Sequence, residues 1–479
     1  MQSAPWCPTR LLYIGLEGDT EWELHLPSER GFTPPKYITL SYRWGSNQKF
    51  QLTDRKLKKG FRGRIQDLPT TFKHAIHVAR QLSVQYLWID RLCIVQDSQV
   101  DWEYESRTMR DVYTNSLCTI AASASHDPNG GLFHSRDPED LRPILVVAKF
   151  DMTGKKYYYM TEEDYYDHGV TNNPLQKRGW VFQERLLAQR TVHFTEKQVF
   201  WECAEETKCE ARRRKGYWDT LRFYGRGWKD LELNKSTQEP GCSKAYDLWD
   251  ALVQSYTKRD LTRESDRLVA FFGVAQLFQG LIDDKYLAGM WRSRLEEQLC
   301  WVVYEPARRS KSEYFAPSWS WASVPGPIET RTPGKKRRIH VTVLDVGMQC
   351  KLPDDDGHSV FDYIKLSGFL FPAIYKTESD EAPLADLWDP DVLNTGLKHG
   401  RMVHCLVMST HADLDHEGKA FTSWMGLMIL EASPKRSGVY RRLGWLHIRH
   451  YESLVGLSLV DEKLVAINGV AKLSVITLV

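Results

Sequence analysis

The sequence alternates short apolar runs with amphipathic segments over residues 37–121, and this alternation constrains the fold more than any other feature. The apolar runs are rich in β-branched and aromatic residues, which favours strands, whereas the segments between them repeat apolar residues at helical spacing. Strand, helix, strand, helix, strand within about 90 residues predicts right-handed crossovers and a doubly wound parallel α/β sheet. The predicted strands are 37–42, 86–89 and 117–121, the predicted helices are 72–82 and 99–115, and residues 46–66 are a predicted loop.

The pattern changes twice further along the chain, which predicts two more regions. A short helix over 178–187 and a hairpin over 191–201 complete an N-terminal domain predicted at residues 1–205. Helical patterns then define a middle region at 206–328, and short β-type runs define a β-rich C-terminal domain at 339–479. The predicted middle helices are 246–256, 268–278 and 287–302, and the predicted C-terminal strands are 341–346, 363–371, 402–408, 425–430, 439–448 and 473–479.

The composition bounds the class of protein without indicating a partner. Hydrophobic residues make up 42% of the 479, which excludes disorder as the general state. The formal charge of +2 gives no global attraction to nucleic acid or to a membrane surface. The nine cysteines do not resemble a disulfide framework, and Cys203 and Cys209 lack the paired ligands of a zinc site. We therefore expect a cytoplasmic protein with no membrane span, no nucleic-acid partner and no metal.

The strand ends indicate where a ligand would bind. In a doubly wound sheet, ligands bind at the carboxyl ends of the parallel strands. The first predicted strand ends in Ser41, Tyr42, Arg43 and Trp44, and the second ends at Asp90. Arg43 and Asp90 together can hold a polar ligand, or they close the sheet by pairing with each other or with loop backbone. Trp44 is either a stacking platform or a core aromatic residue.

A carboxylate within an apolar stripe marks the second predicted helix. Trp102, Glu105, Met109, Val112 and Ser116 fall on one face of that helix. Burying a carboxylate there costs free energy unless it is paired or lines a cleft. Glu105 is therefore either a functional residue or one half of a buried salt bridge with an arginine.

The short predicted helix at 178–187 carries a dense polar cluster. Arg178, Gln183 and Glu184 accompany Trp180 there and are predicted to support the site. The alternative is a network that holds the domain together. Several classes of enzyme are not indicated, because the sequence lacks a phosphate-binding loop, a dinucleotide-binding glycine fingerprint and the nucleophile elbow of α/β-hydrolases.

Four segments carry a family resemblance. They are Leu40–Gly45 (LSYRWG), Leu87–Asp97 (LWIDRLCIVQD), Asp101–Ser106 (DWEYES) with Met109, Val112 and Tyr113, and Arg178–Leu187 (RGWVFQERLL). In this order they resemble the motifs of heterokaryon-incompatibility (HET) domains. Residues 286–291 and 317–323 resemble the region downstream of that domain, so the likeness covers about two thirds of the chain and fades in the β-rich tail.

The resemblance implies a fold and a reaction. HET domains are similar to Toll/interleukin-1 receptor (TIR) domains, which have a flavodoxin-like fold, and some TIR domains cleave NAD with a glutamate in a Trp-x-x-Glu context. Trp102-Glu103-Tyr104-Glu105 matches that context, so the resemblance implies that Glu105 is catalytic and NAD is a substrate rather than a cofactor. It further implies that Arg43 and Asp90 hold the dinucleotide and that Trp44 stacks on a ring.

The resemblance also implies a biological role, in fungal self/non-self recognition and cell death. TIR-type folds often act by self-association, so a non-catalytic signalling module is the alternative to an enzyme. A homo-oligomer and a protein trigger or allelic partner are expected in either case. A free Glu105 beside an open pocket favours the enzyme, and a Glu105 paired to Arg43 or Arg178 favours the module.

Overall fold

In the computed structural model the chain divides into two compact units. The first comprises Met1–Asn234, Arg259–Leu261 and Val269–Leu277, and the second comprises Lys235–Lys258, Thr262–Leu268 and Phe278–Val479. The predicted middle region at 206–328 is therefore shared between the two units. The structure describes residues 6–27, 34–45, 50–141, 144–148, 156–160, 166–203, 205–210, 243–307, 315–330, 337–351, 360–374, 386–391, 400–414, 420–448, 457–460, 463–466 and 472–479.

Strands and helices alternate through the first unit. Its strands are β1 (Leu11–Tyr13), β2 (Glu21–His25), β3 (Ile38–Ser41), β4 (Arg62–Arg64), β5 (Tyr86–Trp88), β6 (Cys118–Ala121), β7 (Ile144–Ala148), β8 (Lys156–Met160), β9 (Arg190–Phe194), β10 (Val199–Cys203) and β11 (Thr207–Cys209). Its helices are α1 (Asp54–Lys59), α2 (Thr70–Gln81), α3 (Asp90–Cys93), α4 (Gln99–Thr114) and α5 (Gly179–Leu187).

The main sheet of this unit has a parallel centre. Its strand order is β11-β10-β9-β6-β3-β5-β1-β2-β4. β3 runs parallel to β5 and to β6, and β6 runs parallel to β9, whereas the outer strands on both sides are antiparallel. Numbered along the chain, the four parallel strands lie in the order 2-1-3-4. The predicted mixed α/β architecture with a parallel sheet is thus confirmed.

Helices cover both faces of the sheet. Successive side chains of a strand point to opposite faces, so neighbouring residues enter different cores. Leu12 and Leu87 pack in the core that holds the apolar face of α2. Leu11 and Trp88 pack in a second core, with residues of α4 and α5. This is the arrangement expected of a doubly wound sheet.

Local signals set the two long helices that flank the site. α2 follows Pro69, whose fixed φ suits a helix start, and it buries an apolar stripe that includes Phe72 and Ile76. α4 begins after Ser98, whose hydroxyl accepts a hydrogen bond from the Asp101 amide at 3.3 Å. Both helices, and the strands between them, agree with the sequence prediction to within a few residues.

The predicted loop at 46–66 is more ordered than its composition indicates. Within its described part the structure contains the short helix α1 and the edge strand β4. Thr53 caps α1 by accepting a hydrogen bond from the Lys56 amide at 3.4 Å. β4 reads Arg-Gly-Arg and pairs with β2, so it carries no apolar alternation from which a strand is predicted.

The second unit combines helices with a large antiparallel sheet. Its helices are α6 (Ser243–Thr257), α7 (Val269–Ile282, which both units share) and α8 (Leu295–Gln298). Its strands are β12 (Tyr286–Leu287), β13 (Met290–Trp291), β14 (Val302–Val303), β15 (Ile328–Glu329), β16 (Arg337–Ile339), β17 (Thr342–Lys351), β18 (Val360–Ile374), β19 (Asp386–Pro390), β20 (Met402–Leu414), β21 (Ala420–Ala432), β22 (Val439–Ile448), β23 (Leu457–Val460), β24 (Lys463–Ala466) and β25 (Lys472–Leu478). The β-rich C-terminal region is confirmed, but the single helix predicted at 287–302 is wrong.

The large sheet of the second unit closes on itself. β18 pairs with β25 and with β20, and β20 connects through β21 and β22 back to β25. Arg442 on β22 is fully buried and forms an ion pair with Asp391, with Nε 2.9 Å from Oδ2. Its guanidinium also donates to the carbonyl oxygens of Leu299 and Trp301 and lies 3.4 Å from the Trp301 ring centre. One arginine thus joins three segments of this unit.

Helix length also bears on the membrane prediction. Among the described residues, no helix combines the length and the apolarity needed to cross a bilayer.

Candidate functional site

The carboxyl ends of β3 and β5 meet, as the parallel pairing requires, and their polar residues form one network. The Trp44 indole nitrogen donates to Asp90 Oδ2 at 2.5 Å, and the Arg91 amide donates to Asp90 Oδ1 at 2.7 Å. Arg91 in turn donates to the Trp44 carbonyl oxygen at 2.9 Å. Asp90 is therefore an acceptor held in place from two sides at the strand ends.

Arg178 brings the start of α5 into this network. Its Nη1 donates to the Tyr42 carbonyl oxygen at 2.7 Å, and its Nη2 lies 4.0 Å from Asp90 Oδ2. The guanidinium also lies 5.5 Å from the Trp44 ring centre. The cation that accompanies Asp90 is therefore Arg178, and the structure does not contain the Arg43–Asp90 pair that the sequence allowed.

Glu184 lies at the centre of the same edge. It is 4% exposed, and its Oε2 accepts a hydrogen bond from the Ser41 hydroxyl at the end of the central strand. Burial raises the pKa of Glu184 to about 7, although the charge of Arg178 and the Ser41 hydrogen bond lower it. A carboxyl group that titrates near neutral pH at the carboxyl edge of a parallel sheet is typical of a functional site.

This raised pKa predicts a pH-dependent stability. A carboxyl whose folded pKa lies above its unfolded value stabilises the fold fully below about pH 4.5, and this contribution is lost as the pH rises through about 7. Because a glutamine side chain stays neutral at every pH, we expect Glu184→Gln to become more stable relative to the natural chain between pH 5 and 8, by on the order of 2 kcal/mol. Thermal unfolding of both proteins across that range measures the difference, and parallel pH curves would contradict it.

The other predicted residues at the end of β3 have different environments. The Tyr42 ring is buried against Phe72, with ring centres 5.0 Å apart, and its backbone carbonyl accepts from Arg178. Trp44 lies beneath Arg91, whose guanidinium is 4.7 Å from its ring centre. In the described part of the chain, the half-buried Arg43 side chain makes no hydrogen bond or ion pair. Among the described residues at this edge, Arg43 is therefore a cation that remains available to a ligand.

Glu105 lies on the predicted face of α4 and is 1% exposed, but it has partners. Its Oε1 accepts a hydrogen bond from the Thr9 hydroxyl and lies 3.3 Å from Nη1 of Arg10. Arg10 also pairs with Asp101 and donates to the Cys93 carbonyl oxygen at 2.9 Å. Within the described residues no hydrogen bond or ion pair joins Glu105 to Ser41, and its partner is neither Arg43 nor Arg178.

Arg10 is expected to stabilise the fold through this ion pair. Arg10→Met leaves Glu105 and Asp101 without their cation, and we expect the free energy of unfolding to fall by about 2 kcal/mol. Urea denaturation measures the loss. Adding Glu105→Gln to Arg10→Met removes the buried charge and restores part of the stability, whereas strict additivity of the two changes would show that the pair does not interact.

The remaining predicted residues connect α4 and α5 to their surroundings. Trp102 and Trp180 contact each other edge to face, with ring centres 6.1 Å apart. Gln183 is buried and its Oε1 accepts a hydrogen bond from the Gly273 amide at 3.2 Å. These three residues therefore pack the helices together and support the site without contacting a ligand at the strand ends.

Two residues of the site were not predicted from the sequence. Arg10 precedes a three-residue strand and is 95 positions from Glu105, so no local spacing indicates the pair. Tyr113 lies on the buried face of α4, where its hydroxyl is beside Ser41 and Glu184. Its spacing from Glu105 places it on the buried side of the helix, but only the fold brings it to Glu184. Among the described residues no group of three histidine, cysteine or acidic side chains has the geometry of a metal site.

Comparison with known proteins identifies a family for this part of the chain. Residues 37–184 match the family model described as heterokaryon incompatibility protein (HET). Heterokaryon incompatibility protein 6, OR allele, of Neurospora crassa is 35% identical over 91 residues, which are 17% of this chain and 13% of that protein. The aligned segment thus spans a small part of the relative. No solved structure matches the chain significantly.

Proposed function

We propose that the chain, whose residues 37–184 match the HET family model, acts in heterokaryon incompatibility by cleaving NAD at the nicotinamide–ribose bond. The observation that carries the enzymatic part is Glu184, a buried carboxyl that accepts a hydrogen bond from Ser41 at the end of the central strand. The proposal makes Glu184 the catalytic carboxylate, and a catalytic Glu105 stays the alternative prediction. We further propose that the loss of NAD leads to cell death.

The strand order supports a TIR-like, flavodoxin-like fold. In the order 2-1-3-4 the chain steps across the sheet in opposite directions on the two sides of the β3–β6 pair, and ligands of such sheets bind outside this topological switch point. Ser41 ends one of the two strands concerned, and Glu184 lies on the helix between β6 and β9. Glu184 thus lies at the strand edge where ligands of such sheets bind, which supports a dinucleotide as the substrate.

The proposed reaction needs one well-placed negative charge. When the bond between ribose C1′ and nicotinamide breaks, its electron pair leaves with the nicotinamide, which becomes neutral, and the ribosyl group becomes oxocarbenium-like. Ionised Glu184 stabilises that positive charge, water adds to C1′, and a proton is released to solvent. Ser41 holds the carboxylate in position through its hydrogen bond.

The surrounding residues have roles that suit a dinucleotide. Arg43 has no partner among the described residues and supplies a cation for the phosphates, with Arg178 close by. Asp90 supplies an acceptor for ribose hydroxyls, and Trp44 forms one wall of the site. Opening is required first, because Ser41 and Glu184 are both nearly inaccessible to solvent.

The same burial favours a second candidate function, a non-catalytic signalling module. The pairing of Glu105 with Arg10 and Thr9 also fits that candidate, because the carboxylate in the Trp-x-x-Glu context is not free. Such a module acts by self-association or by recruiting a death partner. For both candidate functions we propose that a protein trigger or an allelic partner shifts the chain away from the state in which Ser41 and Glu184 are buried.

NAD consumption by the purified full chain over a range of protein concentrations tests the proposal. We expect nicotinamide release that rises more steeply than linearly with protein concentration, because assembly opens the site. Equal release from a heat-denatured sample, or no release at any concentration up to the solubility limit, would overturn the enzymatic proposal in favour of the module.

A further inference from the structure

A buried histidine links a serine to a carboxylate near the ends of β6 and β9. The Ser123 hydroxyl oxygen lies 3.4 Å from Nδ1 of His193, and Nε2 of His193 lies 2.9 Å from Oε2 of Glu202. Ser123 follows β6, His193 is on β9, and Glu202 is on the neighbouring strand β10. None of these three residues belongs to the network around Glu184.

The contacts of Glu202 determine which nitrogen of His193 carries the proton. Arg185 binds both oxygens of Glu202, with distances of 2.9 and 3.0 Å, and the Tyr166 hydroxyl donates to Oε1 at 2.9 Å. Although burial raises the pKa of Glu202, the charge of Arg185 and the hydrogen bond from His193 hold it well below its usual range. An ionised carboxylate only accepts hydrogen bonds, so Nε2 carries the proton and Nδ1 accepts from Ser123.

His193 is thereby prepared to act as a base. It is fully buried, and burial lowers its pKa, so the ring is neutral at physiological pH. A neutral imidazole whose bare nitrogen faces a serine hydroxyl, and whose other nitrogen is held by a carboxylate, is the arrangement that activates a serine nucleophile. A separation of 3.4 Å suits a site without substrate, since such hydrogen bonds shorten on binding.

Ser123 also lines a cavity of about 240 Å³. Phe200 contributes an apolar wall, and Asn172 and Lys197 also line the cavity with side chains that can donate hydrogen bonds. His126 and His168 lie at the same cavity. A space of this size admits a small acyl group beside the serine.

We propose that Ser123 is the nucleophile of a second catalytic site that hydrolyses small carboxylic esters, with His193 as general base and Glu202 as its positioning residue. Ser123 Oγ attacks the ester carbonyl carbon while its proton passes to His193 Nδ1. The tetrahedral intermediate expels the alcohol, which takes that proton, and leaves an acyl-Ser123. Water, deprotonated by His193, then attacks the acyl carbon and releases the carboxylic acid and the serine.

The full chain with p-nitrophenyl acetate and a fluorophosphonate probe tests this site. We expect mass spectrometry to locate the phosphonyl adduct on Ser123, and Ser123→Ala to lose the adduct and about 100-fold of the ester turnover. Ser125→Ala is the matched control, because Ser125 is also buried in this loop but donates to the Gly131 carbonyl oxygen. Glu184→Gln separates the two sites, since it is expected to leave ester turnover unchanged.

The role of Glu202 has a readout of its own. Glu202→Gln removes the charge that stabilises protonated His193, so the ascending limb of the pH–rate profile is expected to move to lower pH. Labelling elsewhere than Ser123, no labelling of the natural chain, or a folded Ser123→Ala that keeps its turnover would each overturn the proposal. The labelled position in the natural chain decides the matter even if a variant fails to fold.

Discussion

Replacing Glu184 with glutamine is expected to lower NAD cleavage at least about 100-fold while the chain stays folded. The glutamine side chain keeps an oxygen that accepts the Ser41 hydrogen bond, so the network at the strand end is preserved. What the variant lacks is the negative charge that the ribosyl cation requires, and the loss therefore falls on kcat rather than on KM. Nicotinamide release, measured by chromatography at equal protein concentration, gives the ratio.

Glu105→Gln is the matched control for this experiment. It replaces a carboxylate that is as buried as Glu184 but is paired with Arg10, so we expect turnover close to that of the natural chain. Full turnover by Glu184→Gln together with an inactive, folded Glu105→Gln would return the catalytic role to Glu105. Loss of turnover in both variants with intact folding would require both carboxylates in the reaction.

Arg442→Ala is expected to destabilise the second unit by about 3–5 kcal/mol. The change removes an ion pair with Asp391 and two hydrogen bonds to the carbonyl oxygens of Leu299 and Trp301, all of them buried. Asp391 is left as a buried carboxylate without its cation, which accounts for most of the loss. Because the chain has two compact units, calorimetry should resolve the affected transition from that of the first unit.

The adjacent arginine provides the control for that prediction. Arg441 is exposed on the same strand, so Arg441→Ala is expected to change stability by less than about 0.5 kcal/mol. Adding Asp391→Leu to Arg442→Met removes both charges and should recover much of the loss. An unchanged calorimetric transition in Arg442→Ala would show that the three joined segments are held by packing alone.

The fold could be predicted where local pattern and tertiary contact agree. The strands β3, β5 and β6 and the helices α2 and α4 bury apolar side chains, so periodicity alone locates them. The prediction of a single helix at 287–302 is wrong because the apolar spacing there also fits a hairpin. Ala288 and Gly289 have φ of 44° and 97°, and this turn joins β12 to β13 where the sequence pattern resembles a helix.

The candidate site could be predicted only in part, for a related reason. Helical spacing predicts that Glu105 is buried, which the structure confirms, but its partner Arg10 is 95 residues away and no spacing indicates it. Glu184 was predicted only as a supporting residue. Its contact with Ser41 could not be predicted, because it depends on the order of strands in the sheet. That order follows from tertiary packing and is not encoded in any local motif.

The discontinuity of the first unit has a consequence for biosynthesis. Val269–Leu277 belongs to this unit although the chain has by then begun the second unit. The Gly273 amide in that segment donates a hydrogen bond to the Gln183 side chain. A ribosome must therefore translate almost a hundred residues beyond Glu184 before the helix carrying this glutamate acquires its last neighbour. A messenger truncated anywhere in that interval therefore yields an unfinished first unit.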